Sequence, residues 1–151
     1  MNREDIEKLE DFELRKAVAL HNGYRWGIVG TSSSPKEDTP IYGFIAVING
    51  REYMGIGVPD WEKNYSDAFS LVEEWRLAPT PPSSVGIHEI SITYEDYDGT
   101  MKPLWYCYFA QYTDKTEDYQ WFYSSGETPQ VAICRAYVLW KEGLNDNHSI
   151  D

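Results

Sequence analysis

The sequence has few cysteines and no long apolar run, and each shortage excludes a class of protein. The two cysteines, Cys107 and Cys134, are too few for a disulfide scaffold, and apolar residues surround both. We therefore expect buried free thiols in a reducing, cytoplasmic compartment. No stretch approaches the roughly 18 apolar residues of a membrane span, and the charged N-terminus lacks the apolar segment of a signal peptide. A membrane location is therefore not expected.

Basic residues are also scarce: 13 Lys and Arg stand against 25 Asp and Glu, which gives a formal net charge of -12. Phosphate binding relies on Lys and Arg, so direct contact with nucleic acid is not expected. The charge is uneven, because between Gly86 and Glu127 eight acids face only two bases. This stretch is either solubilising surface or a surface that steers a basic partner towards the protein.

Signals for metal binding and catalysis are missing from the sequence. The three histidines have no ligand spacing, and there is no Cys-x-x-Cys pair or Gly-x-Ser-x-Gly motif. Glu95–Gly99 resembles the start of a calcium loop, but residues 100–103 do not continue it, so a tight turn is the simpler interpretation. Gly27–Thr31 resembles a phosphate loop but lacks the following Lys. We therefore expect no cofactor, no metal and no enzymatic activity.

Apolar spacing and turn signals predict the order helix, three strands, helix, three strands, helix. This order favours an α+β fold: a layered α/β/α sandwich with a mainly antiparallel sheet, about three helices and an inserted β-hairpin. We expect one domain over residues 1–143 and a frayed tail over residues 144–151. The residues expected to cap helices, including a short first turn, are Asn2, Asp11, Ser66 and Thr128.

Three stretches give more local predictions. Asn49-Gly50 separates two β-rich runs, which is typical of a two-residue type I′ hairpin. Residues 31–40, TSSSPKEDTP, are expected to form a loop from their composition. The strand expected at Lys102–Tyr112 is apolar on both faces, which indicates a central strand covered on both sides.

The stretch Glu127–Ala136, ETPQVAICRA, resembles the C-terminal signature of the phage ABA sandwich domain family, in which Thr-x-x-x-Ala-Ile-Cys-Arg-Ala opens the closing helix. Leu9–Leu20 is similar to that family's opening helix, and Tyr65–Glu73 is similar to its middle helix. The chain departs from the family in a β-rich insertion, Tyr24–Ile56, between these two helices. The resemblance implies a sheet with helices on both sides and a phage or prophage origin, and it implies no activity.

Aromatic residues concentrate between residues 94 and 123, among the acids described above. Tyr and Trp are typical of binding surfaces, although cross-strand packing within a sheet would place them there too. Arg135 is a charge on a mostly apolar helix, and either a ligand or a salt bridge to one of the acids would explain it. The candidate binding residues are therefore Tyr97, Tyr108, Asp114, Glu117, Asp118, Trp121 and Arg135.

These features favour a non-enzymatic phage accessory protein that binds a host or phage protein, basic in charge, through an acidic, Tyr-rich surface. Inhibition of a host factor that handles nucleic acid is one form this function could take. The alternative is a protein that binds a small molecule, a nucleotide or a sugar, by stacking it on the aromatic rings. Its cationic candidates are Arg25, Arg51, Arg76 and Arg135. The sequence leaves the partner and the oligomeric state open.

Overall fold

Four helices and two antiparallel sheets form the part of the chain that the computed structural model describes, residues 1–33, 37–55, 57–77, 83–93, 101–113 and 118–144. This arrangement confirms the α+β sandwich class predicted from the sequence. The elements in chain order are α1 (Arg3–Glu7), α2 (Asp11–Leu20), β1 (Tyr24–Ser33), β2 (Asp38–Ile48), β3 (Arg51–Tyr53), α3 (Tyr65–Arg76), β4 (Ser83–Thr93), β5 (Met101–Thr113), β6 (Asp118–Gly126) and α4 (Pro129–Lys141).

The strands form two sheets of three, in the orders β1-β2-β3 and β4-β5-β6. β5 pairs with a neighbour on each side, which confirms the central position predicted from its two apolar faces. The hairpin turn is also confirmed, because Ile48 pairs with Arg51 and the two residues between them, Asn49 and Gly50, have φ of 51° and 77°. Positive φ at both positions is the type I′ geometry.

The stretch expected to form a loop, residues 31–40, is strand at six of its seven described residues, and for those residues the prediction was wrong. β1 continues to Ser33 and β2 begins at Asp38, with Thr31 opposite Pro40. The composition of this stretch favoured a loop. The ladder between β1 and β2 nevertheless continues into it, and Thr is itself a good strand residue. β3 is too short to reach Pro40. β2 therefore has one neighbour there, and the side of the proline that lacks an N–H can face away from the ladder.

Two of the four expected helix caps are confirmed. The Asn2 side chain accepts from the amide of Asp5 at 2.9 Å, and the Asp5 carboxylate accepts from the amide of Asn2 at 3.1 Å, which is a capping box. Thr128 Oγ1 accepts from the amide of Val131 at 3.2 Å, and Pro129 occupies the first turn, where its missing N–H has no partner to lose.

The other two expected caps are wrong by one or two residues. Asn64 caps α3 by accepting from the amide of Asp67 at 3.1 Å, so Ser66 lies inside the first turn. Asp11 is the first residue of α2 rather than its cap, and its φ of 46° is in the left-handed region that Asp tolerates better than most residues. Apolar spacing locates a helix to within a turn, whereas the cap depends on where the preceding chain bends.

α4 lies at the centre of the core, and all its residues from Ala132 to Leu139 are buried. It packs against β5 and β6 on one side and against α1, α2 and α3 on the others. Trp75 of α3 stacks on Phe109 of β5, with ring centroids 5.2 Å apart and an interplanar angle of 15°. α3 and α4 therefore share one face of the β4-β5-β6 sheet, and the other sheet attaches through contacts of β1 with α2.

The C-terminal end of the described chain is tied to this core. The amide of Leu144 donates to the carbonyl of Leu139 at 2.9 Å, and its side chain packs against the core. The rest of the expected tail, residues 145–151, lies outside the described residues, as does the expected Asp98-Gly99 turn. None of the described helices is long and apolar enough to cross a membrane.

Candidate functional site

Strand alternation sorts the aromatic side chains of β5 and β6 onto two faces of their sheet. Cys107 and Phe109 are fully buried with the helices, so the even-numbered residues of β5 lie on the opposite face. The antiparallel register brings odd-numbered residues of β6 to that same opposite face. Its four aromatic side chains, which we call the strand face, are Tyr106, Tyr108, Trp121 and Tyr123.

Tyr108 and Trp121 form the centre of the strand face, with ring centroids 5.3 Å apart and planes tilted by 54°. Both are half-buried, and Ala110, opposite Trp121 in the ladder, is fully buried. Arg3 lies at the margin, where its guanidinium carbon is 4.5 Å from the ring centroid of Tyr123. Aromatic side chains have few rotatable bonds, so a packed pair of this kind offers a large contact area at a small entropic cost.

The other candidate binding residues are spread along the sheet rather than gathered around this pair. Asp118 begins β6, and Arg135 lies near its other end, where it contacts Ser125. The two ends of this strand are about 27 Å apart at the usual rise of extended chain. The structure therefore does not bring Asp118 and Arg135 into one site. Tyr97, Asp114, Glu117 and the side chain of Asp118 lie outside the described residues.

Arg135 is buried, with 9% of its surface exposed, and it binds main-chain carbonyls. Its Nη1 donates to the carbonyl of Ser125 at 2.7 Å, and its Nε and Nη2 donate to the carbonyl of Leu9 at 3.1 and 2.9 Å. Burial lowers the pKa of the guanidinium, and the carboxylates of Glu10 and Glu7 oppose that shift. These contacts explain a charge on an apolar helix by joining α4 to the edge of β6 and to the turn after α1.

Two arginines cover the outer edge of β6. Arg3 Nη2 donates to the carbonyl of Tyr123 at 2.7 Å, and Arg135 Nη1 donates to the carbonyl of Ser125 at the same distance. Carbonyls two residues apart on a strand point to the same side, and β5 is the one sheet neighbour of β6 within the described ranges. The guanidinium groups therefore occupy acceptors that would otherwise be open to an added strand.

A cleft of about 550 Å³ opens beside Arg135, between the turn that joins α1 to α2 and the turn that joins β6 to α4. We call it the acidic cleft, because carboxylates outnumber bases on its walls. The donors of Arg135 described above are already engaged by carbonyls, so the cleft favours a cation over a phosphate. The charged residues that line it are Glu7, Lys8, Glu10, Asp11, Glu127 and Arg135.

A second apolar surface, on the β1-β2 hairpin, was missed by the sequence analysis. The ring of Phe12 lies 5.5 Å from that of Trp26 and 6.0 Å from that of Phe44. The next pair along the same sheet face is Ile28 opposite Tyr42, with 53% and 56% of each residue exposed. We call these five residues the hairpin patch. Alternate apolar residues in both strands were visible in the sequence, but nothing there showed which part of the face stays open.

The two thiols are free and buried, as the sequence predicted. Burial raises the pKa of the Cys107 thiol to about 12, and it raises the pKa of the Cys134 thiol well above its usual range. The nearby Glu62 carboxylate adds to the shift in the pKa of Cys134. Because the thiolate is the reactive form, neither residue is suited to act as a nucleophile near neutral pH.

Polar clusters inside the fold join its elements to one another. Arg15 Nε donates to the buried Glu62 at 2.8 Å, which ties α2 to the segment before α3. The hydroxyl of Tyr137 donates to Glu74 at 2.8 Å and accepts from Asn22 at 3.1 Å, and burial raises the pKa of this phenol. Among the residues that the structure describes, no group of three or more His, Cys, Asp or Glu is placed to hold a metal ion.

The arginines considered for a small-molecule ligand are largely engaged. Arg25 pairs with Glu52 at 2.6 Å, and Arg76 pairs with Glu73 at 2.9 Å. The segment considered as a phosphate loop, Gly27–Thr31, is part of the paired strand β1 and does not open a helix. It therefore lacks the row of free amides at a helix start that binds phosphate.

Three surfaces of the described residues are candidates for binding a partner: the strand face, the acidic cleft and the hairpin patch. Each is built from side chains that different elements hold in place. Comparison with known proteins adds no family to this description, because the sequence matches no protein-family model and no curated protein.

Proposed function

We propose that the protein is a non-enzymatic accessory protein of a phage or prophage, and that it binds a host or phage protein through the strand face and the acidic residues near it. The observation that carries this proposal is the packed, half-buried pair of Tyr108 and Trp121 in the middle of a sheet face. Tyr and Trp are enriched among the residues that contribute most to binding between proteins. The phage origin rests on the resemblance of residues 127–136.

The charge of the chain segment that contains the strand face supports a basic partner. The stretch from Gly86 to Glu127, which includes β5 and β6, has eight acids and two bases. Such a surface attracts a positively charged protein over several ångströms and raises its association rate. Host factors that handle nucleic acid present basic surfaces, so inhibition of such a factor is consistent with this proposal.

The alternative is a small ligand that stacks on the same rings. A phosphorylated ligand has less support than a sugar, because Arg25, Arg76 and Arg135 are bound to carboxylates or carbonyls. The burial of both thiols and their raised pKa values support a binding role over covalent catalysis.

The experiment is to purify a tagged copy from infected cells, identify the bound protein and measure its binding kinetics. Trp121→Ala should increase the dissociation rate about tenfold or more if the ring lies at the centre of the interface. The pair Glu117→Gln and Asp118→Asn should lower the association rate at low salt, with little effect at about 1 M salt, where charges are screened beyond about 3 Å. The control variants are Tyr65→Ala and Glu73→Gln on α3, both partly exposed and away from this sheet face.

Binding that is indifferent to salt and to Trp121→Ala would contradict the proposal and leave the acidic stretch as solubilising surface. Recovery of a small compound without a protein would favour the alternative. The thermal midpoint of each variant must be measured alongside, because Trp121 is half-buried and its loss could act through stability.

A further inference from the structure

We propose that the hairpin patch and the acidic cleft together form a second docking surface, which binds an amphipathic segment of another protein with apolar side chains next to Lys or Arg. The hairpin patch lies on α2, β1 and β2, and the acidic cleft lies between the α1-α2 turn and the β6-α4 turn, whereas the strand face lies on β5 and β6. The inference is independent of the function proposed above, and the two can fail separately.

The apolar half of this surface is contiguous and already ordered. Trp26 and Phe44 pack edge to face, with centroids 4.9 Å apart, and Phe12 covers both. Beyond them Ile28 and Tyr42 are about half exposed, and 44% of Phe12 is exposed. Contiguous apolar patches are uncommon on soluble monomers, and rings fixed by their neighbours lose little side-chain entropy when a partner covers them.

The distribution of charge indicates which partner fits. Residues 24–55 contain three bases and three acids, so this segment is neutral although the whole chain has a net charge of -12. The ammonium group of Lys16 lies 4.8 Å from the ring centroid of Trp26, so the patch has a cation at its edge and the attraction for a basic segment must come from the acidic cleft. The excess negative charge lies on the rest of the chain, where it disfavours a second copy and favours a protein with basic residues beside its apolar ones.

The acidic cleft supplies the complementary charges next to the patch. Asp11 lines the cleft, and the following residue, Phe12, belongs to the patch, so both surfaces meet at the first turn of α2. Glu10 and Glu127 lie on the same walls, as does Glu7, whose carboxylate already pairs with Arg3 at 3.0 Å. The volume of about 550 Å³ exceeds what one long side chain needs. A Lys or Arg side chain can therefore enter the cleft while apolar neighbours cover the patch.

The test uses a fluorescent synthetic peptide of about 15 residues with Leu on one helical face and Lys and Arg on the other. The control peptide has Glu in place of Lys and Arg. Binding is measured by fluorescence anisotropy against the full chain. We expect the basic peptide to bind and to weaken as salt rises from about 0.1 M to about 1 M, since the charges are then screened.

Matched variants distinguish binding at this surface from nonspecific binding of the peptide. Tyr42→Ser should weaken binding about tenfold or more, as expected for a central aromatic contact. Tyr65→Ser is the control, because Tyr65 is exposed to a similar extent, 48%, on α3. Glu10→Gln should weaken binding of the basic peptide, with Glu73→Gln as the control for loss of one acid; Glu7 is left unchanged because its carboxylate pairs with Arg3 at 3.0 Å. The thermal midpoint of each variant shows whether it is folded.

Four results would overturn the proposal. The first two are no binding of the basic peptide up to about 1 mM and equal binding of the acidic peptide. The other two are equal effects of Tyr42→Ser and Tyr65→Ser, and a dimer of the chain alone that Tyr42→Ser disperses. The last result would assign the patch to a second copy. The function proposed above is tested separately, with Trp121→Ala and the protein that the tagged copy captures.

Discussion

Replacing Arg135 with Met tests whether this arginine holds the fold together or serves a ligand. The change removes the donors to the carbonyls of Leu9 and Ser125. A buried polar group left without a partner destabilises by about 1–3 kcal/mol. Two effects keep the loss of stability small: Met fills much of the same volume, and the change removes a desolvated charge. Both carbonyls belong to half-buried residues, so water can replace part of the lost hydrogen bonding. We therefore expect the free energy of unfolding to fall by about 2–3 kcal/mol.

The assay is urea unfolding followed by tryptophan fluorescence, with the free energy and its dependence on urea fitted together. Arg25→Met is the matched control, because the pair of Arg25 with Glu52 is exposed and the free energy of unfolding should hardly change. Arg135→Lys should fall between the two, since a single ammonium group cannot reproduce the fork that spans both carbonyls. A loss below about 0.5 kcal/mol, the usual range of surface changes, would refute this account and leave Arg135 free for a ligand.

Three further predictions concern stability and reactivity. Gly50→Val should lower the free energy of unfolding by about 1 kcal/mol or more, because a β-branched residue is strained at a φ of 77°; Gly57→Ala, at a glycine with open space and no positive φ, is the control in the same urea assay. Cys107 and Cys134 should react with a bulky maleimide only as fast as the protein unfolds, so rapid labelling under native conditions would contradict their burial. Thr128→Ala should destabilise by about 1 kcal/mol through loss of its cap, whereas Thr128→Ser should retain most of the stability in thermal unfolding.

Features with local causes could be predicted from the sequence. The Asn49-Gly50 turn requires positive φ at two adjacent positions, and few other residue pairs accept that geometry. Thr128 and Pro129 define a helix start through their own side chains. The central position of β5 follows from apolar residues on both of its faces. In each case the side chains of the named residues are themselves the physical cause of the local structure.

Features that depend on distant contacts could not be predicted. Thr31 is part of a strand because the β1-β2 ladder continues to this point, although the composition of that stretch alone favours a loop. The unusual position of Arg135 was visible, but Leu9 is 126 residues away in the chain and could not be identified as its partner. The hairpin patch depends on Phe12 meeting Trp26 and Phe44 from another element. A single sequence contains no signal for such contacts between distant elements.

The covered edge of β6 limits how a partner can approach the protein. Partners that add a strand bind through free carbonyls and amides at a sheet edge, and Arg3 and Arg135 occupy two such carbonyls here. Displacing either arginine would break its hydrogen bond to the carbonyl and leave the guanidinium without that partner. This cost opposes strand addition at this edge. Recognition at this edge must then rely on side chains that project from a face. Both proposed docking surfaces meet that requirement, since each presents aromatic rings on the face of an antiparallel pair of strands.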